Sequence, residues 1–400
     1  MAALPAFIRL AIAKLAAAEE SLCDDDPQTD YAELLVFARG FSQHLKSVGA
    51  AAAPELKAAI SASLAPVWDV RADVAGPELS VDALRRALET LLADVLPAED
   101  PPAEPVDESI APAGLAEMSL PAAVAYMWEV LDKGHRLEWG EGFTLDLQRR
   151  GTFGADACAA PMFSWVNKEH AFWTAKTTTS FVALLDNYER ETGVAEVTTS
   201  EEKRELAEFL EALTSTDVMR FAFAFLKEKG KDPRCASLRT KSDFKNLLYD
   251  LWFAPYRRYR ANDSSGFEHV FVGEVKRGKV IGLHNWVQFY LEELKGNIDY
   301  LGWTGRQDGD YSDDVNIVSV KFAWDDGDGV GSAEEKPMST LLCGSTVEFE
   351  MAALTLAFLA GNQEGDNKLQ LGSERLNIKC YPQQVKYGGP KIGTAYFEID

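Results

Sequence analysis

Two of the chain's five histidines stand fifteen positions apart, His269 in Ser265-Gly-Phe-Glu-His-Val-Phe-Val-Gly-Glu274 and His284 in Gly282-Leu-His-Asn-Trp-Val-Gln-Phe-Tyr290. Imidazole titrates near pH ~6.5, so one neutral ring can accept a proton while a second, charged ring donates one. Spacing alone does not separate such an acid/base pair from two structural histidines.

The elements around the pair decide whether the rings can meet. Phe267, His269 and Phe271 alternate with Glu268, Val270 and Val272, a period of two that predicts a strand. Val275 to Val280, with Gly278 between β-branched residues, predicts a hairpin. From Leu283 the period changes. Leu283, Trp286, Val287, Tyr290, Leu291 and Leu294 share one helical stripe that stops at Gly296, which puts His284 in the first turn. There the helix dipole disfavours imidazolium and biases His284 towards the base role. A hairpin running into a helix brings its ends together, so both histidines are expected to face one cleft.

The two segments, with Ser264 before the first, closely resemble the histidine motifs of the EndoU family of uridylate-specific endoribonucleases. The resemblance extends over Leu115 to Asp400, through Met127-Trp-Glu129, Gly142-Phe-Thr-Leu-Asp-Leu-Gln148 and Phe181-Val-Ala-Leu-Leu-Asp-Asn-Tyr-Glu189. It implies cleavage of single-stranded RNA at uridylates by attack of the neighbouring 2′-hydroxyl, leaving a 2′,3′-cyclic phosphate. Such a reaction builds negative charge on the nonbridging oxygens, which a positioned cation stabilises. In the family a lysine in a Lys-Pro-x-Ser motif does this, ahead of Gly-x-Ser-x-Glu-Phe-Glu. Lys336-Pro-Met-Ser339 and Gly344-Ser-Thr-Val-Glu-Phe-Glu350 match, with Thr346 replacing serine, so Lys336 is the implied third catalytic group. Lys321 is its rival, because the long acidic segment Asp325 to Glu335 departs from the family's shorter connection. By the same resemblance Thr340, Thr394 and Tyr396 contact substrate, and Glu268 and Glu274 support the histidines. The family also implies a divalent cation, manganese first; Asp325-Asp-Gly-Asp-Gly329 lacks the full spacing of a calcium loop, and no ligand is assigned.

The rest of the 400 residues frames this site. Met1 to Ala18 is apolar but broken by Arg9 and Lys14, and it reads as a helix, not an export signal or membrane span. Residues 1–96 read as Ala- and Leu-rich helices without chemical motifs, a module suited to binding a protein partner or a second copy. Residues 97–114 are an acidic, Pro-rich linker. From 115 to 400 the stripes are first helical, including a capping box at Thr199 and Glu202, and later strand-like, so an α+β catalytic domain is expected. Five cysteines without metal-type spacing suit a reducing, cytoplasmic setting. The net charge of −23 argues against nucleic-acid binding over the whole surface. A local basic rim remains, formed by Arg257, Arg258, Arg260, Lys276, Arg277 and Lys279, and it suits a short RNA. Two other readings stay open at this level. One is an RNA-binding module that keeps the fold without turnover; the other is a metal-dependent hydrolase with Glu268, His269, Glu274 and His284 as ligands.

Overall fold

Two aromatic clusters form much of the core, and each grips one histidine segment. The computed structural model describes residues 106–148, 150–151, 158–194, 199–304, 315–325, 334–385 and 389–400. Contacts divide the chain into residues 1–103 and 104–400, and the described residues all belong to the second unit. The helices expected over 1–96, the first half of the linker and the acidic segment after Asp325 lie outside the described residues.

The helices come first. They are α1 (Leu120–Tyr126), α2 (Lys176–Leu184), α3 (Ser200–Thr214), α4 (Asp217–Lys229) and α5 (Lys241–Leu248), with one small antiparallel pair, β1 (Phe143–Leu145) and β2 (Phe163–Val166), between α1 and α2. Helix α3 starts at the expected capping box. The Thr199 hydroxyl accepts from the Glu202 amide at 3.2 Å, and the Glu202 carboxylate accepts from the Thr199 amide at 2.7 Å.

Part of the expected linker is folded. Asp107 is ion-paired with Arg220, Glu108 meets Lys227 at 2.6 Å, and Val106, Ile110 and Leu115 pack against the core. The described part of residues 97–114 is thus held against α4 instead of forming a free extended tether.

A second departure concerns Phe267 to Val272. These residues are a short helical turn, not a strand, closed by a Gly273 amide that donates to the Glu268 carbonyl at 2.8 Å, five residues back. Phe267 and Phe271 are spaced for a helix and stack at 5.3 Å. Both strand and helix readings fit a segment that is buried on every side, which is why alternation misled here. The hairpin does form, as β3 (Glu274–Val275) and β4 (Val280–Ile281), and α6 (Trp286–Lys295) ends at Gly296 in the left-handed region. On α6, Leu294 is 65% exposed and leaves the expected stripe.

Two three-stranded antiparallel sheets complete the unit. One has the order β5 (Ile298–Trp303), β6 (Asn316–Trp324), β7 (Glu334–Cys343). The other has the order β10 (Lys391–Ile399), β9 (Glu374–Gln383), β8 (Gly365–Leu371). Between them in sequence runs α7 (Val347–Ala360), capped by the Thr346 hydroxyl and buried on all faces. Strand β10 packs against β6, β7 and the turn that carries His269. The resulting architecture is α+β, helices first and antiparallel sheets later.

Candidate active site

Phe267 and Phe271 flank His269 in sequence and sink into a cluster with Phe181, Phe209, Trp252 and Phe253. This fixes the turn from below. Its start is a second capping box: the Ser265 hydroxyl accepts from the Glu268 amide, and the Glu268 carboxylate accepts from the Ser265 amide, both at 3.1 Å. Glu268 therefore supports the backbone that bears His269. On the other side Trp286, two residues after His284, packs against Phe143, Phe163 and Phe172, and its indole N–H donates to the Ser345 carbonyl at 2.9 Å.

The two histidine segments are tied directly by their main chains. The Leu283 amide donates to the His269 carbonyl at 3.0 Å, and the His284 amide to the Val270 carbonyl at 2.7 Å. Gly282 makes this approach possible. It has φ +66°, and a Cβ there would lie 1.7 Å from the His269 carbonyl oxygen. His284 itself lies just ahead of α6, whose cap is Asn285, so it stands before the first turn.

Each ring has its Nδ1 engaged. His269 Nδ1 is 2.6 Å from Glu274 Oε2, and that carboxylate also meets Arg258 Nε at 3.1 Å. Arg258 reaches further, to Ser264 Oγ at 2.9 Å and the Gly393 carbonyl at 2.7 Å, which links the histidine turn to β10. His284 Nδ1 is 3.2 Å from Ser339 Oγ, whose own proton goes to the Leu283 carbonyl at 2.5 Å. The serine is thereby left to accept from Nδ1–H. Both rings then keep Nε2 as the atom with a lone pair.

Burial dominates the electrostatics. Together with the positive charges of Arg258, Lys336 and Lys276 it holds His269 well below the usual imidazole range. Burial, Lys336 and His269 hold His284 low, opposed by a hydrogen bond with the Thr340 backbone. Burial pushes Glu274 up to about 7, against the pull of Arg258.

Lys336 is the cation whose field reaches both rings, and burial brings it down to about 8. Among the described residues it has no ion-pair or hydrogen-bond partner. Lys321 differs: it is buried on β6 and paired with Glu335 at 3.1 Å. A bulge in the β6–β7 ladder puts two residues of β7, Pro337 and Met338, opposite Lys321, and proline's missing N–H is tolerated there.

The resemblance-derived contacts divide. Tyr396 stacks on His284 with ring centroids 4.4 Å apart and planes 9° apart. Thr394, two residues earlier on the same face of β10, has a buried hydroxyl without a hydrogen-bond partner among the described residues. Thr340 is different. Its side chain is buried and its hydroxyl lies 3.2 Å from Ser319 Oγ, so strand alternation turns Thr340 away and presents Ser339 to His284. Ser339 stood inside a quoted segment with no role assigned and Arg258 only in the basic rim, and their partners become visible only when the chain folds. Glu350 also acquires a place: it accepts from Ser345 Oγ at 2.7 Å and from Asn285 Nδ2 at 3.2 Å, while Asn285 Oδ1 caps α6 at the Gln288 amide.

A metal site finds no support in this arrangement. Among the described residues no three His, Cys, Asp or Glu side chains are placed to hold an ion, and Glu268 is committed to its own backbone. No described helix is long and apolar enough to cross a membrane.

The comparisons agree with this geometry. A family model described as endoribonuclease XendoU matches residues 120–397. The chain is 38% identical over 275 residues to poly(U)-specific endoribonuclease-B of Xenopus laevis, covering 66% of this chain and 88% of that protein. It is 40% identical over 247 residues to uridylate-specific endoribonuclease C of Danio rerio, covering 60% of this chain and 74% of that protein. A solved structure of XendoU, described as a splicing-independent snoRNA processing endoribonuclease, superposes with a TM-score of 0.56 at 38% identity, over 70% of this chain and 96% of that one. With a family match over most of the second unit and a structural likeness over nearly the whole of the solved chain, the chain belongs to the XendoU family of endoribonucleases.

Proposed function

We propose that the protein cleaves single-stranded RNA on the 3′ side of uridylates by transesterification, leaving a 2′,3′-cyclic phosphate. The observation that carries this reading is the charge of Lys336, without an ion-pair or hydrogen-bond partner among the described residues, beside buried His269 and half-buried His284, each with its Nδ1 engaged. The names of the relatives, poly(U)-specific and uridylate-specific endoribonuclease, support the substrate.

His284 takes the role of base. Among the described residues no carboxylate acts on it, so its neutral form is favoured, and Nε2 takes the proton of the 2′-hydroxyl as that oxygen attacks phosphorus. Negative charge gathers on the nonbridging oxygens, where Lys336 stabilises it. His269 takes the role of acid. Its Nδ1–H faces Glu274, so a charged ring is compensated there, and Nε2 gives its proton to the departing 5′-oxygen. The bond from O2′ to phosphorus forms as that to O5′ breaks, and one proton is gained and one lost by the pair. A phosphate in the cleft offsets the Lys336 charge that otherwise depresses both rings, so substrate binding itself favours protonation of His269.

Thr394 and Tyr396 read the base. A buried hydroxyl left unpaired costs roughly 1–3 kcal/mol, and an edge of uracil that both donates and accepts satisfies it. The test is end-group analysis of an oligonucleotide with one uridine. A cyclic phosphate on the upstream fragment and a 5′-hydroxyl on the downstream one are expected; a downstream 5′-phosphate would overturn the reaction class.

A further inference from the structure

Five basic side chains beside the site take no part in the chemistry above. Arg257 and Arg260 lie on the loop between Tyr256 and Ser264, and Lys276, Arg277 and Lys279 lie on the β3–β4 hairpin. All but Lys276 are exposed, and among the described residues none of the five forms an ion pair. In a chain of net charge −23 this is a local reversal of sign.

Both supports are built to hold a shape. The Asp263 carboxylate accepts from the amides of Arg258, Tyr259 and Arg260 at 2.7, 2.8 and 2.5 Å, which fixes the loop. The Tyr256 amide closes it by donating to the Ser264 carbonyl at 2.8 Å. Arg277 and Gly278 turn the hairpin with φ of 55° and 70°. Between these supports Tyr259 stays 46% exposed, and the Arg277 guanidinium lies 5.4 Å from its ring centroid. Gly193 forms the floor. A Cβ there would come within 2.9 Å of the Tyr259 ring, and the neighbouring Thr192 amide donates to the Val275 carbonyl at 2.9 Å.

An exposed aromatic ring braced by backbone, with uncompensated cations around it, matches an unpaired base with its phosphates. Base stacking on such a ring is tolerant of sequence and contributes a factor of about 5 or more per base, while a guanidinium can share the stack or take a phosphate. The location fits a substrate that continues past the cleaved bond. The same hairpin holds His269 through Glu274 at its base and presents Arg277 at its turn, three residues on.

We infer that Tyr259 and Arg277 form a stacking platform for a nucleotide flanking the cleaved uridylate, with Arg257, Arg260, Lys276 and Lys279 taking its phosphates. The inference rests on the proposed RNA cleavage. The platform gives the enzyme a preference for substrates longer than the reacting dinucleotide.

The test compares cleavage of a uridine dinucleotide with that of a 10-nucleotide strand holding one uridine, for the full chain and for Tyr259→Ala, Tyr259→Phe and Arg277→Ala. Tyr259→Ala and Arg277→Ala are expected to lower kcat/KM on the long strand by about 5-fold or more and to leave the dinucleotide rate unchanged; Tyr259→Phe keeps both. Trimming the flank on one side of the uridine should erase the difference. Equal losses on both substrates would make Tyr259 a support of the catalytic loop, and no loss on either would remove the platform; both outcomes overturn the inference. Should the full chain cut neither substrate, binding of the same strand with 2′-deoxyuridine decides separately. A 5-fold weakening by Tyr259→Ala keeps the platform while the cleavage reading fails, and unchanged binding ends both.

Discussion

In the proposed reaction His269, His284 and Lys336 each carry a distinct load, which separate variants can read. Replacing either histidine by alanine removes a proton carrier and is expected to lower the cleavage rate by at least about 10²-fold in single-turnover assays. Lys336→Ala should be comparably severe and Lys321→Ala mild, since Lys321 is occupied by Glu335. The opposite order of the two lysines would move the charge stabiliser to β6. Lys336 also sets a pH limit. Its charged form is the useful one, and burial brings it down to about 8, so kcat/KM should fall as pH rises through about 8. In Lys336→Arg the charge persists, and the alkaline fall should move upward in whatever activity remains; an unmoved limb would assign it to another group. Residue type and motif point to the two histidines and Lys336, and the fold brings them near one another. They give Arg258 and Ser339 no such part, because each acts through a partner brought near by folding, Glu274 for one and His284 for the other.

At the scale of elements, the site depends on two buried segments being pressed together. Gly282 lets the chain after β4 cross the His269 carbonyl, in a left-handed conformation that costs a residue with a Cβ about 1–2 kcal/mol before any clash. Gly282→Ala is expected to lower the melting temperature and to cut kcat by more than about 10-fold, since it must part the rings it now joins. A variant with full activity would show that the main-chain crossing does not set ring geometry. Sequence periodicity served well where one face meets water, as on α3 with its capping box and in the strands of β8 to β10. It failed where burial is complete. Residues 267–272 alternate like a strand yet coil. On β7 a bulge opposite Lys321, which strand alternation does not announce, sets the face from which Ser339 meets His284.

For the whole molecule, the second unit begins before the resemblance does. Asp107, Glu108 and the apolar residues Val106 and Ile110 are fastened to α4 and the core. A chain of residues 104–400 is therefore expected to fold and cut RNA, whereas 115–400 should be less stable by about 2 kcal/mol or more through lost apolar burial. Thermal unfolding of the two truncations checks this; equal melting temperatures would make the segment an ornament. The central claim is that the attacking oxygen belongs to the RNA, with the protein supplying only proton transfer and charge. A single cut-site uridine replaced by 2′-deoxyuridine removes that oxygen and little else. The account predicts that cleavage at this position is abolished while the strand still binds with nearly unchanged affinity. Efficient cleavage at the deoxyuridine, releasing a downstream 5′-phosphate, would contradict it even if the His269, His284 and Lys336 variants were all inactive.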